Sequence, residues 1–185
     1  MKLLNGFTLI ELMVVIAVLA IVVTLAVPGM GNFLDSNKLR GAASQLYADM
    51  QYARSESIKQ NLNISISLTS NGGTSWCYGI STNASCDCTI TDPTDVTACT
   101  LPQSGTNILK TGQSSDFEGV RITSPSGANQ NIATFDPVRG IATATGSVVF
   151  ESHNNLETHV TVSALGKVSA CTPSGTKSVT GYSAC

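Results

Sequence analysis

The residue with the most chemical consequence is Glu11, a carboxylate at the head of an apolar run. Leu12 to Val27 is apolar at every position but Thr24, and no charge falls between Leu12 and Leu34. A carboxylate at a bilayer centre costs about 2.5–3.5 kcal/mol, less near the interface, so Glu11 asks for a cationic partner. Six cysteines are the next reactive set: Cys77, Cys86, Cys88, Cys99, Cys171 and Cys185. Set mostly among polar loop residues, they point to an oxidising compartment and to disulfides, against a reduced cytoplasmic enzyme. Cys171 and Cys185 bracket a Pro/Gly/Ser-rich tail. Bonding them closes a loop of about 15 residues, worth about 3 kcal/mol in the chain-entropy model. Cys77, Cys86, Cys88 and Cys99 are then left to pair among themselves; geometry disfavours only Cys86 with Cys88. A zinc site on Cys86-Asp87-Cys88 lacks both the usual ligand spacing and a nearby histidine.

The other polar residues argue against catalysis. His153 and His159 lie either side of an expected turn at Asn154-Asn155 and read as exposed turn histidines. No G-x-S-x-G, H-E-x-x-H or Gly-rich phosphate loop is present, so neither an enzyme nor a cofactor is expected. Asp92, Asp95 and Asp116 could contribute to a calcium site, but they do not match an EF-hand loop and read as solvated loop acids. Lys38, Arg40 and Arg54 read as a solvated helix face.

The elements that must position these residues follow from the apolar pattern. The chain has 185 residues, 42% apolar but only 12% charged, with a net charge of -2. That allows one domain with an appendage, excludes a charge-rich disordered chain, and gives no whole-chain nucleic-acid signal. A helix over Phe7–Met30 is about 36 Å long, enough to span a hydrocarbon core of about 30 Å. A cleaved Sec signal peptide is opposed by the single Lys2 and by Glu11 inside the run. Pro28, flanked by Gly29 and Gly31, interrupts helix propensity and predicts a bend. Leu39, Ala42, Ala43, Leu46, Met50 and Ala53 then recur at three- and four-residue steps, a stripe for packing on a sheet. Phe7 to Gln60 thus reads as one long, bent helix.

Beyond it, Leu62 to Leu68 alternates apolar and polar, a half-buried strand, with a turn at Asn71-Gly72-Gly73 and a returning strand over Trp76–Ile80. Cys86 to Gly105 reads as a long loop. Further strands are expected at Gly119–Thr123, Asn131–Phe135, Ser147–Glu151, His159–Ser163 and Lys167–Cys171. The fold class is α+β: a long N-terminal helix packed on an antiparallel β-sheet head. The expected parts, after residues 1–6, are a transmembrane helix over 7–30, its amphipathic continuation over 31–61, and a β-rich extracytoplasmic head over 62–185.

Gly6-Phe7-Thr8-Leu9-Ile10-Glu11-Leu12 resembles the class III signal of type IV prepilins and type II secretion pseudopilins. The resemblance implies that a prepilin peptidase cuts after Gly6 and methylates the new terminus at Phe7, and that Glu11 meets the Phe7 ammonium of a neighbouring subunit. It also implies that Pro28 marks a segment that bends or melts on assembly. Tyr52-Ala53-Arg54-Ser55-Glu56-Ser57, Phe135-Asp136-Pro137 with Gly140, and the Val160–Cys171 hairpin resemble the GspH/FimT branch. That implies a minor pilin of a type IV pilus, a low-copy tip or priming subunit whose partners are other minor pilins and the major pilin. It would reside in the bacterial inner membrane, head in the periplasm, before moving to the pilus tip. The alternatives are a type II secretion minor pseudopilin and a DNA-binding minor pilin for natural transformation. Members that bind DNA use a G-R-x-R motif. Here the matching stretch is Gly166-Lys167-Val168-Ser169, so Lys167 is the one candidate DNA contact. With five basic residues against eight acids beyond Asn61, few phosphate contacts are available.

Overall fold

The computed structural model describes residues 7–175 and 177–185, with the backbone alone over 25–30. The chain divides between Leu34 and Asp35 into two units, and helix α1 (Leu9–Gln60) has residues in both, Pro28 among them. In the first unit every side chain described is exposed, including Leu9, Ile10, Leu12, Ile16, Leu19 and Val23. A helix apolar on all sides needs apolar surroundings from outside itself. The run described to its side chains, Leu9 to Thr24, is about 24 Å long. Among the described residues no helix is long and apolar enough to cross a membrane.

In the second unit α1 contributes the predicted stripe: Leu39, Ala42, Ala43, Leu46, Met50 and Ala53 are all buried. The helix stops where a left-handed residue closes it. Asn61 has φ 56°, and the Leu62 N–H bonds to the Ser57 carbonyl at 3.2 Å, a Schellman-type end.

The strands follow as β1 (Ile64–Ser70), β2 (Trp76–Ser81), β3 (Thr100–Gln103), β4 (Thr106–Leu109), β5 (Thr111–Gln113), β6 (Arg121–Ser124), β7 (Gly127–Phe135), β8 (Ala142–Ala144), β9 (Ser147–Glu151), β10 (Glu157–Val162), β11 (Val168–Thr172) and β12 (Ser183–Ala184). The fold is α+β, as the sequence predicts, but the described strands form two five-stranded sheets and a hairpin. The first sheet runs β5-β2-β1-β7-β8, the second β12-β11-β10-β9-β6, and β3 pairs with β4. All pairings are antiparallel except β11 with β12. One core joins the helix stripe to Ile64, Ile66 and Leu68 of the first sheet and to Val148, Phe150 and Val160 of the second. Trp76 sits between them, stacked on Tyr78 and Phe117, edge-on to Phe150, with its Nε1 donating to the Val120 carbonyl at 2.9 Å.

Four expectations need correction. The span Cys86–Gly105 is not all loop: β3 lies within it, because Thr100–Gln103 finds a partner only in β4, beyond the expected loop's end. Strand β1 is not half-buried, since Ser65 and Ser67 on its polar face are 2% and 1% exposed. The disulfide-bearing loop covers that face, and the Ser67 hydroxyl accepts the Cys86 N–H at 3.1 Å. His159 is not a turn residue; it lies within β10 opposite Cys171, while His153 is exposed in its turn. Arg40 and Arg54 are not a free solvated face: Arg40 donates to the Thr180 carbonyl and hydroxyl, and Arg54 Nε to the Gly140 carbonyl at 2.8 Å.

Candidate functional site

The N-terminal candidate is built by a helix start. Phe7 and Thr8 precede α1, and the Thr8 hydroxyl accepts the Glu11 N–H at 3.3 Å. This is half of a capping box, with Thr8 as N-cap and Glu11 three residues in. The Glu11 carboxylate therefore sits in the first helical turn, where the dipole favours a negative charge. Among the described residues Glu11 makes no ion pair. Phe7 is 82% exposed, one residue before the cap. An ammonium freed at Phe7 would stand about one turn from Glu11. Gly6 and the rest of the leader lie outside the described residues. The chemistry available here is ion pairing, with Glu11 free to meet a cation from outside its own chain.

The cysteines of the head form covalent staples. Cys171 bonds Cys185, Cys77 bonds Cys88, and Cys86 bonds Cys99. The last two bonds form one buried cluster on the back of β1 and β2. Gly79, opposite Ser67 in the register, is what lets them approach: a Cβ there would run into the Cys99 side chain. Sequence reasoning missed Gly79; a glycine inside an otherwise apolar strand is the available signal of close approach.

The segments quoted for the family resemblance converge in space. Arg54 of α1 bonds Gly140, whose turn starts at Asp136; the Asp136 carboxylate accepts the N–H groups of Val138 and Arg139. Gly166, with φ +74°, packs so closely on the Gly140 carbonyl that any Cβ would collide with it. The helix and two turns far apart in sequence are thereby locked together.

Lys167 follows Gly166 and is exposed. It lines a cleft of about 460 Å³ with Ser44, Tyr47, Val168, Ser169, Ala170 and Tyr182. Ser169, where the DNA-binding motif has its second basic residue, is within 2.8 Å of the Thr161 hydroxyl. Asp92 and Asp95 each close a local turn onto Thr94 and Thr97, and these bonds hold both carboxyls below the usual carboxylate range. Asp116 lies apart in a 3-10 turn, Ser114–Phe117. Among the described residues no group of three or more histidine, cysteine or acidic side chains could hold a metal.

Comparison with known families matches residues 42–166 to the model described as Type II transport protein GspH. Residues 1–27 match the Prokaryotic N-terminal methylation motif. No curated protein and no solved structure matches. The first match takes in about two thirds of the chain, from the buried helix stripe to the Gly140–Gly166 contact, and the second takes in Gly6, Phe7 and Glu11. A capped, outwardly apolar helix carrying that motif, continuing into a two-sheet head of this kind, places the chain in the GspH family of pilin-like proteins.

Proposed function

We propose that this chain is a minor pilin of a type IV pilus, a low-copy subunit that primes assembly and sits at the tip. The observation that carries the reading is Glu11, a carboxylate with no ion pair among the described residues, in the first turn of a helix whose side chains over 12–23 are all exposed and apolar. Leader removal after Gly6 by a prepilin peptidase leaves an ammonium at Phe7, methylated by the same enzyme. The apolar helix holds the subunit in the inner membrane, head in the periplasm. On assembly Glu11 pairs with the Phe7 ammonium of a neighbouring pilin and sets axial register, since each charge alone is expensive in low dielectric. Pro28 is where the helix gives as it packs. The disulfides suit a head exposed to an oxidising exterior.

The test replaces Glu11 with Ala in the full chain. Membrane insertion is expected to persist and incorporation into filaments to be lost; normal incorporation would refute the pairing. Gly6→Ala is expected to leave the leader uncut, read as an intact N-terminal mass. The description of the matched family favours a type II secretion pseudopilin as the second reading. Deleting the gene separates the two: loss of pili supports the first, loss of exoprotein release the second.

A further inference from the structure

We propose that the outer edge of β11 takes an extended segment of a neighbouring pilin as an added strand, with a carboxylate of that segment at Lys167. On one side β11 pairs with β10 from Val168 to Cys171, whereas on the other β12 covers only Cys171 and Thr172. The Ser163 N–H bonds to the Lys167 carbonyl, and peptide groups alternate sides along an antiparallel strand. Ser169 and Cys171 therefore face β10, while Val168 and Ala170 turn their N–H and C=O outward. The far side gives the same phase, because the Thr172 carbonyl accepts the Cys185 N–H there at 3.0 Å. The parallel register of Cys171 with Ser183 engages the Ala170 carbonyl where β12 begins, so the outward groups without a hydrogen bond among the described residues are the Val168 N–H and C=O and the Ala170 N–H.

These groups border the cleft between α1 and β11, whose other walls are Ser44, Tyr47 and Tyr182. An unpaired edge is a template for another strand unless charge, proline or a covering element blocks it. Here the guard is Lys167, which makes no ion pair among the described residues. Added strands gain affinity from main-chain bonds and specificity from pockets for alternate side chains. The open length, Val168 to Ala170, suits a short segment with apolar side chains against the tyrosines and a carboxylate beside Lys167. A polypeptide fits better than a nucleic acid: the outward Val168 carbonyl repels phosphates but accepts an amide donor.

The inference rests on the reading of the chain as a filament subunit. The experiment uses the full chain in its own cells, with a benzoylphenylalanine photocrosslinker at Tyr47. The expected adduct maps to an extended segment of an identified pilin. Ala170→Pro removes an N–H that bonds nothing among the described residues, a position where an edge strand tolerates proline. It is expected to lower the adduct about tenfold, the equivalent of about 1.4 kcal/mol. Ala170→Gly keeps the N–H and is expected to leave the adduct unchanged. Lys167→Glu is expected to lower it severalfold, and carries the test if the proline variant fails to form the Cys171–Cys185 bond. No adduct, an adduct unmoved by both variants, or one with DNA or another copy of this chain overturns the proposal. Wild-type chain that enters filaments without the adduct sinks the docking alone; wild-type chain absent from filaments sinks the reading beneath it.

Discussion

Tyr78 carries a phenol into the interior, where burial and then the Asp49 carboxylate push its ionisation far above the ordinary range. Its Oη donates to Asp49 Oδ2 at 2.6 Å, and Gly112 opposite leaves room for the ring, since a Cβ there would strike it. Tyr78→Phe keeps the stacking on Trp76 and loses one charge-assisted bond, an expected cost of about 1–2 kcal/mol in urea unfolding. The pH sign follows from the raised value. This contribution is whole below the unfolded phenol's pKa of 10.0 and declines as pH rises above it, because the unfolded chain ionises while the folded one does not. Comparing the two proteins between pH 9 and 11 should show a steeper alkaline loss for the wild type; parallel curves would remove Tyr78 as the cause. Gly166→Ala combines a left-handed backbone with a collision against the Gly140 carbonyl, and is expected to cost at least about 1–3 kcal/mol.

At the scale of elements, the C-terminal tail is held by its side chains as well as by β12. Glu157 accepts from Lys177, and the Glu157 N–H bonds the Lys177 carbonyl at 2.9 Å. The Lys177 bond, more than its charge, lowers the Glu157 carboxyl below the usual range, with a smaller contribution from His159. The Lys177 ammonium is raised in return. The pair therefore stabilises the tail above the ordinary glutamate pKa, fades as pH falls through the lowered Glu157 value, and persists upward until Lys177 titrates. A carbon-detected NMR titration should place Glu157 below exposed glutamates in the wild type and among them in Lys177→Ala; an unchanged titration would discard the pair. Arg54→Ala unties α1 from the Gly140 turn and should cost about 1 kcal/mol. It should also raise amide exchange in the turns at 136–140 and 163–166 before the sheets.

Over the whole molecule the two disulfide groups do different work. Cys171–Cys185 closes the tail, so Cys171→Ser with Cys185→Ser should cost about 3 kcal/mol and release β12 while leaving the helix–sheet core folded. Cys77–Cys88 and Cys86–Cys99 instead hold the loop over the serine face of β1. Removing both pairs should lower the melting temperature further, since it adds exposure of buried Ser65 and Ser67 to the lost chain constraint. Equal losses for the two sets would mean that the loop covers nothing of value.

The helix and its end were legible in the residues. Leu39 to Ala53 at helical spacing commits one face to burial, whatever packs there. Strand β9 has the predicted limits for a similar reason: a short Val-Val-Phe run between polar residues is a local signal. The N-terminal methylation motif was legible too, because Gly6-Phe7 ahead of a carboxylate that opens an apolar run is a local pattern. What the sequence left open depends on residues far apart in the chain. The pairing of Cys77, Cys86, Cys88 and Cys99 is set by where β2 lies under the loop. The burial of Ser67 is set by Cys86, the role of Arg54 by Gly140, and the open edge at Val168 and Ala170 by how short β12 is. Local periodicity states which face of an element is apolar, and only the tertiary structure decides what covers the other face and which backbone groups it leaves unpaired.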